Sequence, residues 1–270
     1  MRNLVNIPTL LASLVFLSCE EVVDVDLSTE DPRLVVEASI NWSKDTDGKH
    51  QRITLSQTTP YFETGLSPAT GAIVYIENAQ GQRYDFNEEA NSGIYTTDHF
   101  NAQENMSYTL FIQYKDQLYQ GKEAMVTVTD LTYITQNDGT VFSREYVEIK
   151  AYFDDPVDEV NYYFYKFEAE KDHTINVIED RLLNGNEMFA IFVSEELEKS
   201  DQVQVSLYGI SRQYYNYMYT LITQSGESMG PFVTQPATVK GNIINTSNPE
   251  NYALGYFRVS QNDTYIYVVD

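Results

Sequence analysis

The chain has 270 residues and a net charge of −23, with 40 acidic against 17 basic residues, 42% hydrophobic residues and 13% aromatic residues. That charge repels phosphate backbones and anionic lipid surfaces, which argues against nucleic-acid binding and against electrostatic adhesion to a membrane. The apolar and aromatic content supplies a packed core and excludes general disorder, and the length allows one large β domain or two ordinary ones.

The N-terminus reads Met1-Arg2-Asn3, then an apolar run from Leu4 to Leu17, then Ser18-Cys19. A basic start, an apolar stretch and a small residue before the cut form a secretory signal. The run is too short for a bilayer core, which needs about 20 residues, and Asn6 and Pro8 interrupt it. Cys19 is the only cysteine, so no intramolecular disulfide forms. Its place at the exit of the signal predicts lipidation, with residues 1–18 removed and the membrane reached through acyl chains. Glu20 and Glu21 follow at once and form a predicted export signal to the cell surface; residues 19–32 are an acidic tether.

From Arg33 the pattern becomes short strands separated by turn residues. Leu34 to Ile40 and Ile53 to Gln57 come first. Ala72 to Glu77 and Arg83 to Phe86 flank Asn78-Ala79-Gln80-Gly81, a hairpin signal. Tyr108, Leu110, Ile112 and Tyr114 alternate with Thr109, Phe111 and Gln113, and Lys115-Asp116-Gln117 turns the chain into Leu118 to Val128. This spacing predicts an immunoglobulin- or transthyretin-like antiparallel sandwich over 33–129. A second, mostly antiparallel β domain follows over 130–270. Its predicted strands include Tyr146 to Phe153, Tyr162 to Glu168, Val203 to Leu207, Leu254 to Val259 and Thr264 to Val269. Residues 211–225 carry Tyr214, Met218, Leu221 and Ile222 at helical spacing, with Gly226 as a stop.

Few strings carry chemistry. Gly226-Glu227-Ser228-Met229-Gly230 matches a nucleophile elbow, but that motif needs a strand before the serine, and a helix pattern stands there instead. The three histidines, His50, His99 and His173, all precede the serine and lack metal spacing. Asp154-Asp155-Pro156-Val157-Asp158-Glu159 offers oxygen ligands to calcium without EF-hand spacing, and Asn137-Asp138-Gly139 offers less. Clustered tyrosines at 162–165 and 214–219 are read as packing between helix and sheet rather than as a sugar platform. The sequence therefore predicts no catalytic residues, no metal and no cofactor.

Several strings recur together in order: Cys19-Glu20-Glu21, Pro32-Arg33-Leu34-Val35-Val36-Glu37, Thr59-Pro60-Tyr61-Phe62, Asp154-Asp155-Pro156, Gly230-Pro231-Phe232, Gly241-Asn242-Ile243 and Leu254-Gly255-Tyr256-Phe257. This succession resembles a family of uncharacterised Bacteroidota outer-membrane lipoproteins classed as a domain of unknown function. The resemblance implies a TonB-dependent outer-membrane receptor as partner and a role as its accessory in ligand capture or import. Among site residues it transfers only Cys19. The alternatives are a structural or adhesive surface module and, last, a glycosidase built on paired carboxylates.

Overall fold

The structure, a computed structural model, describes residues 31–60, 65, 67–141, 144–157, 159–181, 183–225 and 238–270. The predicted lipidation site Cys19, the export residues Glu20 and Glu21, and the Gly226 to Gly230 string lie outside them.

Eight strands come first: β1 (Leu34–Ser43), β2 (Gln51–Gln57), β3 (Ser67–Pro68), β4 (Ile73–Asn78), β5 (Arg83–Glu88), β6 (Ile94–Thr97), β7 (Ser107–Tyr114) and β8 (Gln117–Ala124). Then follow β9 (Leu131–Val141), β10 (Arg144–Asp154), β11 (Tyr162–Glu168), β12 (His173–Glu179), β13 (Glu187–Ser194) and β14 (Gln202–Gly209). Helix α1 (Arg212–Gln224), β15 (Ile243–Asn245) and β16 (Leu254–Val268) complete the chain. The architecture is mainly β, a sandwich fold with one helix among the described residues.

Alternation explains the layers. In β1, Leu34, Val36, Ala38 and Ile40 point inward, and in β7 Tyr108, Leu110, Ile112 and Tyr114 face them across the first core. The two hairpins are set by local chemistry. Lys115 and Asp116 both adopt positive φ, 47° and 60°, which gives the two-residue turn whose twist matches paired strands. Asn78 Oδ1 accepts the N–H groups of Gln80 and Gln82 and closes the other turn, with Gly81 at φ 82°.

Hydrogen-bonded neighbours run β12-β11-β14-β16-β1-β2-β6-β5-β4-β7-β8-β15, with β3 beside β2, and a second sheet runs β13-β10-β9. The first core includes Ile243, Ala253, Phe257 and Val259 from the C-terminal end. The second core fills the space between β11, β14 and the three-stranded sheet with Ile149, Phe153, Phe167, Phe192 and Val205. Helix α1 lies on the outer face, where Tyr214 and Met218 pack on Phe164, Val177, Tyr208 and Tyr256.

One predicted feature is corrected. Leu254 to Val259 and Thr264 to Val269 are not two strands but parts of the single strand β16. Its front half runs parallel to β1, from Val35↔Leu254 to Ser43↔Asn262. Its rear half runs antiparallel to β14, from Tyr208↔Asn262 to Gln202↔Val268. The polar run between the halves resembles a turn in sequence but bonds the neighbouring segment instead. Gln261 Oε1 accepts the Val128 N–H at 3.3 Å, and Asp263 Oδ2 accepts the Leu131 N–H at 2.7 Å. Asn137-Asp138-Gly139, weighed above for calcium, lies within β9 opposite Tyr146 to Glu148.

Candidate functional site

Period-two alternation places Tyr256, Arg258, Ser260, Asn262 and Thr264 on one face of β16, away from Phe257 and Val259. Where that face meets β1 and β14 there is a groove of about 410 Å³. Its lining includes the amides of Asn41, Gln204 and Asn262 and the hydroxyls of Ser43, Ser206 and Thr264. Asn262 donates to Thr264 Oγ1 at 3.0 Å, and that oxygen lies 3.2 Å from Ser206 Oγ. Asn262 is only 6% exposed, and its Oδ1 has no hydrogen-bond partner.

The turn between β1 and β2 forms one wall, and three residues fix it. Buried Gln51 donates to the Asn41 and Gly48 carbonyls at 2.8 and 2.7 Å and accepts the Asn41 N–H at 3.0 Å. Trp42, the sole tryptophan, donates its indole N–H to the Thr46 carbonyl at 3.1 Å. Gly48 adopts φ 65°, and a Cβ there would lie 2.9 Å from the Trp42 ring, so glycine is required on both counts. The one carboxylate of the lining, Asp47, is paired with Lys49 at 2.7 Å. Its pKa is lowered, first by the hydrogen bond from Lys49.

Behind the groove lies Arg258, 3% exposed. Its Nη2 donates to Asn41 Oδ1 at 2.7 Å, while Nε and Nη1 have no partner. The guanidinium sits 4.7 Å from the ring of Tyr208, 5.2 Å from Tyr214 and 5.7 Å from Phe164. Desolvated cation–π contacts of this kind each stabilise the charge by about 0.5–2 kcal/mol. Countercharge comes from Glu123, whose Oε2 accepts from the Ser211 and Tyr256 hydroxyls at 3.0 and 3.1 Å. Burial pushes the Glu123 carboxyl above its ordinary range, and the Ser211, Ala124 and Tyr256 donors and the Arg258 charge only partly offset it. Ser211 also caps α1 by accepting the Tyr214 N–H at 3.2 Å, so one hydroxyl serves both helix and cluster.

A second surface feature lies on the three-stranded sheet. Its inner side buries Ile149, Ala151, Phe153, Met188, Ala190 and Phe192. Its outer side presents Tyr133, Tyr152 and Phe189, which are direct register neighbours. Tyr133 and Tyr152 stack at 4.4 Å, Tyr152 and Phe189 lie 5.5 Å apart, and Lys150 Nζ is 5.4 Å from the Phe189 ring. Tyr133 and Phe189 are 46% and 44% exposed, and Val193 extends the strip at 52%. Because Tyr133 and Tyr152 cover one another's faces, the strip offers ring edges and one outer face rather than a flat platform.

The residues weighed from sequence fall as follows. Asp155 is buried, its oxygens accepting from Tyr163 OH at 2.6 Å and from the Gly185 N–H at 3.0 Å, so this acidic turn is held by internal bonds. Among the described residues no group of three or more His, Cys, Asp or Glu is arranged to hold a metal ion. The helix tyrosines fill the gap between α1 and the sheet: Tyr214 meets Tyr256 at 4.9 Å and Tyr162 meets Tyr215 at 5.1 Å, while Tyr219 stays 54% exposed. Sequence reasoning missed the groove, because its parts come from 41–50, 204–208 and 262–264. The available signal was the absence of Gly and Pro from Tyr256 to Val269, which leaves the chain without a breaker there. Among the described residues no helix is long and apolar enough to cross a membrane.

Comparison with known proteins gives a family and a set of distant folds. No curated protein matches the chain. Solved structures similar to it include a two-domain fibronectin type-III segment of chicken tenascin, at 14% identity over 67% of this chain and 91% of that one, with a TM-score of 0.22. A DUF4785 family protein from Legionella pneumophila is similar at 11% identity over 64% and 52% of the two chains, with a TM-score of 0.23. The chicken interferon gamma receptor alpha chain is similar at 9% identity over 67% and 89%, with a TM-score of 0.20. A family model described as "Domain of unknown function (DUF4249)" matches residues 20–266, and the chain belongs to that family.

Proposed function

We propose that this chain is a lipid-anchored outer-membrane module, displayed at the cell surface, that assists a TonB-dependent receptor in capturing or importing a ligand and catalyses nothing itself. The observation that carries this reading is the exposed aromatic strip Tyr133–Tyr152–Phe189 with Val193. Clustered aromatic residues on an otherwise charged surface mark protein–protein contacts, where aromatic side chains supply much of the binding energy. The signal-like start and Cys19 support the anchor, and the acidic residues Glu20 and Glu21 support surface display. Membership of a family of unknown function is compatible with this role.

The test is affinity purification of the C-terminally tagged full chain from outer membranes in mild detergent. A stoichiometric receptor that co-purifies with wild type and is lost with Tyr152→Ser plus Phe189→Ser supports the reading. A chain that comes out alone, or a receptor retained by the variant, contradicts it. A structural or adhesive role is the second reading, favoured by one observation: β16 passes unbroken through both strand groups, as a stiff spacer would require.

A further inference from the structure

Beyond Asn262 the strand β16 has a neighbour on one side only. Its register with β1 ends at Ser43↔Asn262, whereas its register with β14 continues to Gln202↔Val268. The Val269 N–H donates to the Asp201 carbonyl at 3.0 Å. By the alternation of an antiparallel ladder, Tyr265 and Tyr267 therefore exchange hydrogen bonds with β14, and Ile266 and Val268 turn their N–H and C=O groups the opposite way. The Asn262 carbonyl points in that same direction and accepts the Lys44 N–H at 3.0 Å, where β1 ends. Among the described residues no strand pairs with Ile266 or Val268 on that side.

An open edge is a template for another strand, and chains blunt such edges with lysine, proline, a bulge or brevity. The far end of the long sheet uses brevity, since β15 has three residues. This edge uses none of these devices. Thr264-Tyr265-Ile266-Tyr267-Val268 carries no charge and no proline, and its register with β14 is unbroken. Its side chains are also uncovered on both faces: Tyr265, beside Val205 on the core side, is 54% exposed, and Ile266 and Val268 on the outer side are 59% and 49% exposed.

Charge selects the occupant. The edge runs into a groove of about 710 Å³ that Val269 and Asp270 help to line. That lining holds five carboxylates, Asp138, Glu145, Glu195, Glu198 and Asp270, against one lysine, Lys199, and Lys171 reaches Glu198 at 3.1 Å. A second copy of the chain fits badly. Two copies paired antiparallel about Ile266 would set Asp270 of each beside Asp263 of the other, and would add one net charge of −23 to another. We propose that the 264–268 edge of β16 takes up an extended segment of another polypeptide as an added strand. The segment is apolar where it covers Tyr265, Ile266 and Val268, and rich in lysine or arginine where it reaches the Asp270 groove. Main-chain hydrogen bonds from Ile266 and Val268 supply affinity, and the carboxylates fix the direction of the added strand. This goes beyond the receptor reading, because the edge and the aromatic strip belong to different sheets.

The experiment is fluorescence anisotropy of labelled synthetic peptides titrated with the purified full chain in mild detergent. The probe has six alternating valine and threonine residues followed by four lysines. One comparison peptide ends in four glutamates instead, and another is the lysine peptide with every amide of its valine–threonine run N-methylated. The lysine peptide should bind saturably, about tenfold tighter than the glutamate peptide at low salt and less so at high salt, and the N-methylated peptide should not bind. Ile266→Pro deletes the outward N–H, and Ile266→Lys places a charge on the edge; each should weaken binding about tenfold. Ile266 is 59% exposed, so the lysine variant keeps the fold whatever the proline variant does. Tyr152→Ser plus Phe189→Ser should bind the peptide as wild type does. The proposal is overturned if the lysine peptide does not bind at millimolar concentration, if both Ile266 variants bind it as wild type does, or if the N-methylated peptide binds equally well. It is also overturned if sedimentation of the chain alone shows a dimer that Ile266→Lys abolishes, since the occupant is then a second copy. Because the assay contains no receptor, failure here leaves receptor docking standing, and failed receptor co-purification leaves strand capture standing.

Discussion

On one face of β16, Phe257 and Val259 are fully buried in the first core among aliphatic and aromatic neighbours. On the other face, Arg258, Ser260 and Asn262 are buried almost as deeply, yet each carries a polar atom with no hydrogen-bond partner. Both faces belong to one backbone and share one register, so depth of burial does not distinguish them. The chemistry of burial does. Apolar groups gain free energy when water leaves, whereas a polar group without a partner loses it. A strand that keeps three such residues on one face carries a stability cost there.

Substitutions can break that contrast. Phe257→Ala attacks the apolar face, emptying a fully buried site that holds β16 against β1 and β8; unfolding should fall by about 3–5 kcal/mol in denaturant titration. Gln51→Ala attacks the support of the groove wall, removing three hydrogen bonds and leaving the Asn41 and Gly48 carbonyls short of a donor. A loss of about 1–3 kcal/mol is expected by the same measurement. Gly48→Ala forces a left-handed residue and a 2.9 Å approach to Trp42, and should cost about 1–2 kcal/mol with a change in Trp42 emission.

A pH experiment sharpens the contrast at the deep end of the polar face. Glu123 has a folded pKa raised above 4.5, chiefly by burial, so the folded state holds its proton more tightly than the unfolded chain does. Its favourable contribution is complete below the unfolded pKa and is lost as pH rises through the raised value. Wild type should therefore gain stability relative to Glu123→Gln as pH falls from neutral toward 4.5, read as the difference in unfolding midpoint between the two proteins. The Ser211 and Tyr256 hydroxyls and Arg258 face this carboxyl, and none of them changes charge in that window.

Much of the apolar side of this account was legible in the residues. β1, β7, β10 and β14 announce themselves because each has a core face and a wetter one, so hydrophobic residues alternate. The helix over Arg212–Gln224 follows from its spacing and from Ser211 as its cap. β12 and β13 were not read: His173-Thr174-Ile175-Asn176 gives no alternation, and Met188 to Val193 is apolar on both faces. The polar side was illegible for a different reason. Ser260-Gln261-Asn262-Asp263 has the composition of a turn, and only its backbone pairing with β1 and β14 makes it strand. The groove inherits that illegibility, since its walls meet only after folding. The aromatic strip is half legible: Tyr152 lies on the predicted strand Tyr146 to Phe153, but Tyr133 and Phe189 lie on β9 and β13, which the sequence pattern does not mark.

Thermal unfolding of Ser260→Ala tests most directly whether the chemistry of burial, rather than its depth, sets what each face of β16 contributes to stability. Ser260 is fully buried and its hydroxyl oxygen has no partner, so deleting it removes a desolvation cost and leaves only a small void. An unchanged or higher midpoint is expected, by up to about 3 °C for a gain near 1 kcal/mol in a chain of this size. A midpoint several degrees lower would contradict it, and would mean that the polar face holds the fold together as the apolar face does.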